Sequence, residues 1–154
     1  MKTFEIELPD GAVYKNLCWK EDLDSERECY KDYTVIWVDL EKFIHFAEKA
    51  PDIKFASHAS SWEKEKREAY ILGNDPKDPV GLLNTPRVVF NDDEVNVIES
   101  KLLGFMKKKR TKKLQYIGFV NGRHRTRIAE FLGAKKIPVQ VHNNNAELMK
   151  KYCL

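Results

Sequence analysis

Apolar and polar positions alternate at the start of the chain. Phe4-Glu5-Ile6-Glu7-Leu8 predicts a half-buried strand, and Pro9-Asp10-Gly11 is turn chemistry before a second strand near Ala12 to Leu17. Residues 20 to 32 are highly charged and read as loop or short helix. Thr34-Val35-Ile36-Trp37-Val38 is β-branched and nearly all apolar, which predicts a strand buried on both faces. The period then changes. Leu40, Phe43, Ile44 and Ala47 fall on one face of a helix that Asp39 can cap and that ends near Lys49, before Pro51. Ser60-Ser61-Trp62-Glu63 has capping-box form and predicts a helix to Leu72, before Gly73. Three prolines mark Asn74 to Pro86 as loop.

Pro86 to Phe90 predicts a short strand. Asn91, with Glu94 three residues on, suggests a cap for a helix carrying Val95, Ile98, Leu102, Phe105 and Met106 and ending in the lysine run from Lys107 to Lys113. Leu114 to Val120 reads as a strand and Thr126 to Leu132 as a helix, with Gly133 as its left-handed stop. Ile137 to Val141 returns as a strand, with Pro138 at its start or on an edge, and Asn145 to Tyr152 reads as a last helix.

At 154 residues, with 42% hydrophobic positions, the chain is expected to form one mixed α/β (α+β) domain over 1–154. No apolar run approaches the roughly 18 residues that cross a bilayer, and two acids stand where a signal peptide would be apolar. A cytoplasmic protein with no membrane partner is expected. Cys18, Cys29 and Cys153 are odd in number, have no metal spacing, and fit reduced thiols.

Charge changes the picture more. Residues 101 to 136 hold twelve Lys and Arg against one acid, Glu130, a balance of +11 in a chain of net charge +3, so the remainder is −8. Such a split points to a polyanionic partner, with Lys107, Lys108, Lys109, Arg110, Lys112 and Lys113 as candidate nucleic-acid contacts. A solvated helix end explains that run about equally well.

Between the strand ending at Val120 and the next helix lies Asn121-Gly122-Arg123-His124-Arg125-Thr126. Free amides at a helix start and the helix dipole favour an anion there, and Gly122 permits close approach. Arg123 and Arg125 add forked donors suited to phosphate. No acid lies between Gln115 and Arg127. All six residues from Asn121 to Thr126 are therefore candidates for phosphate or nucleotide binding. An Asn-Gly hairpin turn competes with this reading, but His124 to Leu132 has helical period. Alternate residues at a helix start do not share a face, so Arg127 is left unassigned. His124 titrates near neutrality and is the candidate acid or base, with Arg125 beside it, although it could instead lock the turn. His45, His58 and His142 lack metal spacing.

The segment GFVNGRHRTRIAEFLGAKKIPVQV resembles the ParB/sulfiredoxin superfamily, and its NGRHRTR is closest to the plasmid fertility-inhibition proteins. The resemblance covers residues 114 to 141 well and reaches back through 86 to 90 and 34 to 40, so the core is expected over about 86–141, extending to 34. It implies a ParB/sulfiredoxin-like fold, with Gly122, Arg123, His124 and Arg125 binding ATP or another nucleoside triphosphate. Arg123 stands where sulfiredoxins have their cysteine, so sulfiredoxin chemistry is not expected. No counterpart of the helix-turn-helix domain of ParB is expected. Members of the fertility-inhibition branch block conjugative DNA transfer and have been assigned ATPase and DNase activity.

Nuclease chemistry would need a divalent metal or a base near the phosphate. Asp92, Asp93 and Glu94 are the nearest compact acids, but they read better as acids at a helix start and are not counted as catalytic; no metal ligand is assigned. Three classes stay open: an ATPase or DNase, a non-catalytic DNA binder, and an interaction module that inhibits a conjugation or secretion-machinery protein.

Overall fold

Strand β1, Thr3–Glu7, buries Phe4 and Ile6 on one face and pairs antiparallel with β2, Asn16–Lys20, from Thr3 opposite Lys20 to Glu7 opposite Asn16. These elements belong to a computed structural model, which describes residues 2–12, 16–22, 32–51, 54–72, 81–100 and 107–154. The second strand lies later than the turn chemistry suggested, because the apolar residues that reach the core are Leu17, Cys18 and Trp19. Of the charged stretch 20 to 32, positions 23 to 31 lie outside the described residues, as do 73 to 80 of the proline-rich segment.

Strand β3, Tyr33–Asp39, pairs antiparallel along its length with β6, Lys136–His142. It is buried on one face only: Ile36 and Val38 are enclosed, whereas Trp37 between them is 38% exposed. Near its middle, β6 also meets the chain just before Val88, where the Gln140 amide donates to the Pro86 carbonyl at 2.8 Å. Pro138 stands near the start of β6 opposite Trp37. Helix α1, Leu40–Ala47, starts as the sequence predicts: Asp39 Oδ1 accepts from the Lys42 amide at 3.0 Å, and Leu40, Phe43, Ile44 and Ala47 form the buried face.

Helix α2, Lys64–Leu72, begins later than a cap at Ser60 would place it. Residues Ala59–Ser61 form a separate 3₁₀ turn, whose start is capped by the His58 side chain accepting from the Ser60 amide, and Trp62 is extended. The extended residue interrupts the helical path, so the two turns cannot merge.

The largest departure from expectation lies after Pro86. No helix runs from Asn91: β4, Val88–Ser100, and β5, Lys107–Phe119, form one long antiparallel pair, and 101 to 106 lie outside the described residues. Asn91 and Glu94 are strand residues, not a cap. Asp92, Asp93 and Glu94 are likewise not at a helix start. Lys107 to Lys113 is strand, not a last helical turn. The helical spacing of Val95 and Ile98 coexists with the alternation Val95, Val97, and β-branched residues opposite a lysine strand favour the pleated solution.

The core gathers Ile36, Val38, Ile137, Val139 and Val141 from β3 and β6 with Val88, Phe90 and Ile117 from the proximal end of the hairpin. Helix α1 and helix α4, Asn143–Cys153, cover it. Phe90 and Tyr152 stack at 4.9 Å between ring centres. Asn145 completes the join: its Oδ1 accepts from the Phe90 amide at 2.7 Å and its Nδ2 donates to the Phe90 carbonyl at 2.9 Å, as a neighbouring strand would.

Candidate functional site

Strand β5 delivers the chain at Phe119 to the turn, and helix α3, Arg123–Phe131, leaves it. The predicted strand, turn, helix, glycine and strand are all present in that order. Gly122 caps α3 with φ of +90°, in the left-handed region, and supplies no side-chain acceptor. Helix geometry leaves the amides of Arg123, His124 and Arg125 without an acceptor inside the helix, and no acid stands in the first turn. The dipole therefore presents positive potential at this end.

The six residues do not all face one point. Gly122 packs against Pro86, where an added Cβ would lie 2.6 Å from the Pro86 Cα. Thr126 is buried, and both its amide and its Oγ1 donate to the Gly122 carbonyl at 3.0 Å. Asn121 is held on both sides. Its Oδ1 accepts from the Arg87 amide at 2.9 Å and from Arg125 Nη2 at 3.2 Å, and its Nδ2 donates to Asp22 Oδ2 at 2.9 Å. Arg125 also donates through Nη1 to the Asn84 carbonyl. Burial lowers the Arg125 pKa from its ordinary value, against the opposing pull of Asp22 and Tyr70. Asn121, Gly122, Arg125 and Thr126 thus fix the shape of the turn, while Arg123 and His124 occupy its outer side.

Arg123 reaches across to the Lys54 carbonyl at 3.2 Å and stays at the surface. The His124 ring stacks on Tyr70 at 5.6 Å and meets Trp62 edge-on at 5.3 Å. Burial first, and then the charges of Lys66 and Arg123, hold the imidazole below its ordinary pKa. It is therefore mainly neutral at pH 7, able to accept a proton or a hydrogen bond. Arg127 is accounted for inside the protein: it donates to the Ala56 carbonyl at 2.7 Å, pairs with Glu130 at 2.8 Å and Glu48 at 2.9 Å, and lies over Phe55.

Behind the turn lies a polar cluster that sequence reasoning did not find. The buried carboxylate of Asp22 pairs with Arg87 Nη2 at 2.9 Å and accepts from Asn84 Nδ2 at 2.9 Å as well as from Asn121. Gln140 Oε1 accepts from the Asp22 amide at 3.2 Å, and its Nε2 donates to the Asp22 carbonyl at 3.3 Å. The five residues come from four separate stretches of chain, around 22, 84 to 87, 121 and 140, so no local spacing announces them. Only the isolated Arg87, in the otherwise apolar sequence from 86 to 90, could have served as a signal.

The basic run lies elsewhere. Lys107 to Lys113 occupy the distal half of β5, and from Lys113 to the turn the strand runs about 20 Å. One small ligand cannot touch both; a polymer could. Among the described residues no three His, Cys, Asp or Glu side chains are grouped as metal ligands, and no helix is long and apolar enough to cross a membrane.

Fold and site define a small mixed α/β domain built around a basic strand–turn–helix–strand unit. The family model described as plasmid fertility inhibition factor matches residues 35–154, most of the chain, and the protein belongs to that family. Its structure is similar to the crystal structure of oncogenic suppression activity protein, a plasmid fertility inhibition factor solved as a gold(I) cyanide derivative, with TM-score 0.55 and 9% identity over 98% of this chain and 68% of that one. At that identity the likeness shows a shared fold. No curated protein sequence matches the chain.

Proposed function

We propose that this protein inhibits plasmid transfer by binding a phosphate group, of a nucleotide or of DNA, at the start of α3. The observation that carries the reading is a helix start with no side-chain cap and no acid in its first turn, with Arg123, His124 and Lys66 around it. The amides of Arg123, His124 and Arg125 would hold the phosphate, Arg123 would add charge from outside, and Arg125 with Thr126 would hold the turn open. The residues present fit one phosphate group of ATP or another nucleoside triphosphate. A divalent ion, if the reaction uses one, would be carried mainly by the ligand's own phosphates.

Hydrolysis of ATP or of DNA is the further step of this reading. A neutral His124 could take a proton from attacking water, and Arg125 would contribute by fixing the turn. The strand–turn–helix–Gly–strand order also supports a ParB/sulfiredoxin-type fold, without sulfiredoxin chemistry because Arg123 replaces the cysteine. The setting we infer is the cytoplasm of a plasmid-bearing cell, with a conjugation component as the affected partner.

A second reading has its own support. Gly122 is required by Pro86, and Asn121 and Arg125 are bound within the protein, as in a turn retained for its shape alone. The chain would then be an interaction module that inhibits a secretion or conjugation protein directly. Calorimetric titration with ATP and with a short oligonucleotide, each with and without Mg²⁺, separates the two. The phosphate reading expects saturable binding that Arg123→Ala weakens about tenfold or more. Absence of binding to either ligand by a folded parent rejects it and leaves the interaction module.

A further inference from the structure

The distal part of the β4–β5 hairpin is a two-stranded ribbon of seven paired positions, from Glu94 opposite Lys113 to Ser100 opposite Lys107. Its span is about 23 Å. The core ends well before it: Val88, Phe90 and Ile117 are enclosed, whereas Ile98 is 61% exposed and Lys109, Arg110 and Lys112 are exposed. A two-stranded ribbon in water is at best marginally stable, so its length calls for a use. Its charge is one-sided. Over these seven positions β5 carries six Lys and Arg, interrupted only by Thr111, and β4 carries two acids, Glu94 and Glu99.

We infer that this ribbon is a second contact surface, which lies along the major groove of duplex DNA with β5 following one phosphate backbone. Three observations support it. Residues on one face of an extended strand recur about every 7 Å, close to the distance between successive phosphates measured along one DNA backbone. Residues of β5 alternate between faces, so Lys109 and Lys113 lie on one face and Arg110 and Lys112 on the other, and long side chains from both can reach phosphates at the groove wall. The groove is roughly 12 Å wide and admits a two-stranded ribbon. A-form RNA has a deep and narrow major groove that would exclude it.

The competing account is that lysines on an exposed edge merely prevent strands of different molecules from pairing. The inference goes beyond the phosphate reading and does not depend on it, because the ribbon and the α3 start lie at opposite ends of β5.

The test uses the full chain and fluorescence anisotropy with a labelled duplex of mixed sequence, its single strand, and a salt series from about 50 to 200 mM. The parent is expected to prefer the duplex, with affinity falling steeply as salt rises. Lys109→Gln/Arg110→Gln/Lys112→Gln should bind at least about tenfold more weakly and flatten the salt dependence by about one unit per side chain. The same variant should keep the nucleotide binding of the parent, whereas Arg123→Ala should weaken nucleotide binding and retain the ribbon's salt dependence. Glu94→Gln/Glu99→Gln removes two acids and should bind more tightly, which decides the matter even if the triple variant unfolds. Equal duplex affinity in the parent and the folded triple variant, equal affinity for single strand and duplex, or a triple variant that aggregates without losing affinity would each overturn the inference.

Discussion

Asn121 Nδ2 donates to Asp22 Oδ2 at 2.9 Å across 99 residues of chain, tying the candidate turn to the end of β2. The same oxygen pairs with Arg87 at 2.9 Å, and both ionic side chains are largely withdrawn from water. Removing one partner of such a pair leaves the other charge buried. Asp22→Ala is therefore expected to lower stability by about 3–5 kcal/mol. Urea unfolding measures it, and a loss below about 1 kcal/mol would mean that water screens the cluster as it does a surface pair.

Gly122→Ala should be destabilising whether or not a ligand binds. The backbone there has φ of +90°, and the new methyl carbon would fall 2.6 Å from both Cα and Cβ of Pro86. Strain and collision together should cost about 2 kcal/mol or more. Pro86→Ala should not rescue the variant, since the Pro86 Cα would still be too close. A thermal melt of the single and double variants checks both statements.

What the sequence made legible follows from local rules. The α1 face, the Asp39 cap, the Gly133 stop and the path from Leu114 to Val141 each depend on residues a few positions apart, and they stand as expected. The β4–β5 hairpin did not, because Val95, Val97 and Ile98 satisfy both periods and only pairing across the chain chooses between them. The turn was visible as a unit, but the inward use of Asn121 and Arg125 was not. Asp22 and Asn84 meet them over long sequence separations that composition does not encode.

Arg125→Lys separates the two roles open to that residue. Arg125 reaches the Asn84 carbonyl with one nitrogen and Asn121 Oδ1 with another, which lysine's single ammonium cannot reproduce in the same plane. If the residue fixes the turn, stability should fall by about 1–3 kcal/mol, with a lower Tm. If it also serves a bound phosphate, nucleotide affinity should fall at temperatures well below the melt. A variant with the parent's Tm and at least tenfold weaker nucleotide binding would assign Arg125 to the ligand; an unchanged affinity with a lowered Tm would assign it to the fold.

His124 gives a prediction with a definite sign in pH. Burial, together with Lys66 and Arg123, places its folded pKa below the unfolded value of about 6.5. Between those two values the unfolded chain holds more protons than the folded one. The contribution is thus fully present above about pH 6.5 and is lost as pH falls through the lower, folded pKa. His124→Gln should remove that part of the acid sensitivity, so the urea midpoint of the variant should drop less between about pH 7.5 and 5 than that of the parent. A phosphate at the α3 start would act in the opposite direction, because a nearby negative charge favours imidazolium. Binding should then take up a proton, and parent affinity should rise as pH falls through the imidazole's pKa in the complex while that of His124→Gln stays level. Calorimetry in two buffers of different ionisation enthalpy reads the proton directly. Uptake in the parent that disappears in His124→Gln would place the imidazole beside the ligand, and no uptake in a parent that binds would place the phosphate elsewhere.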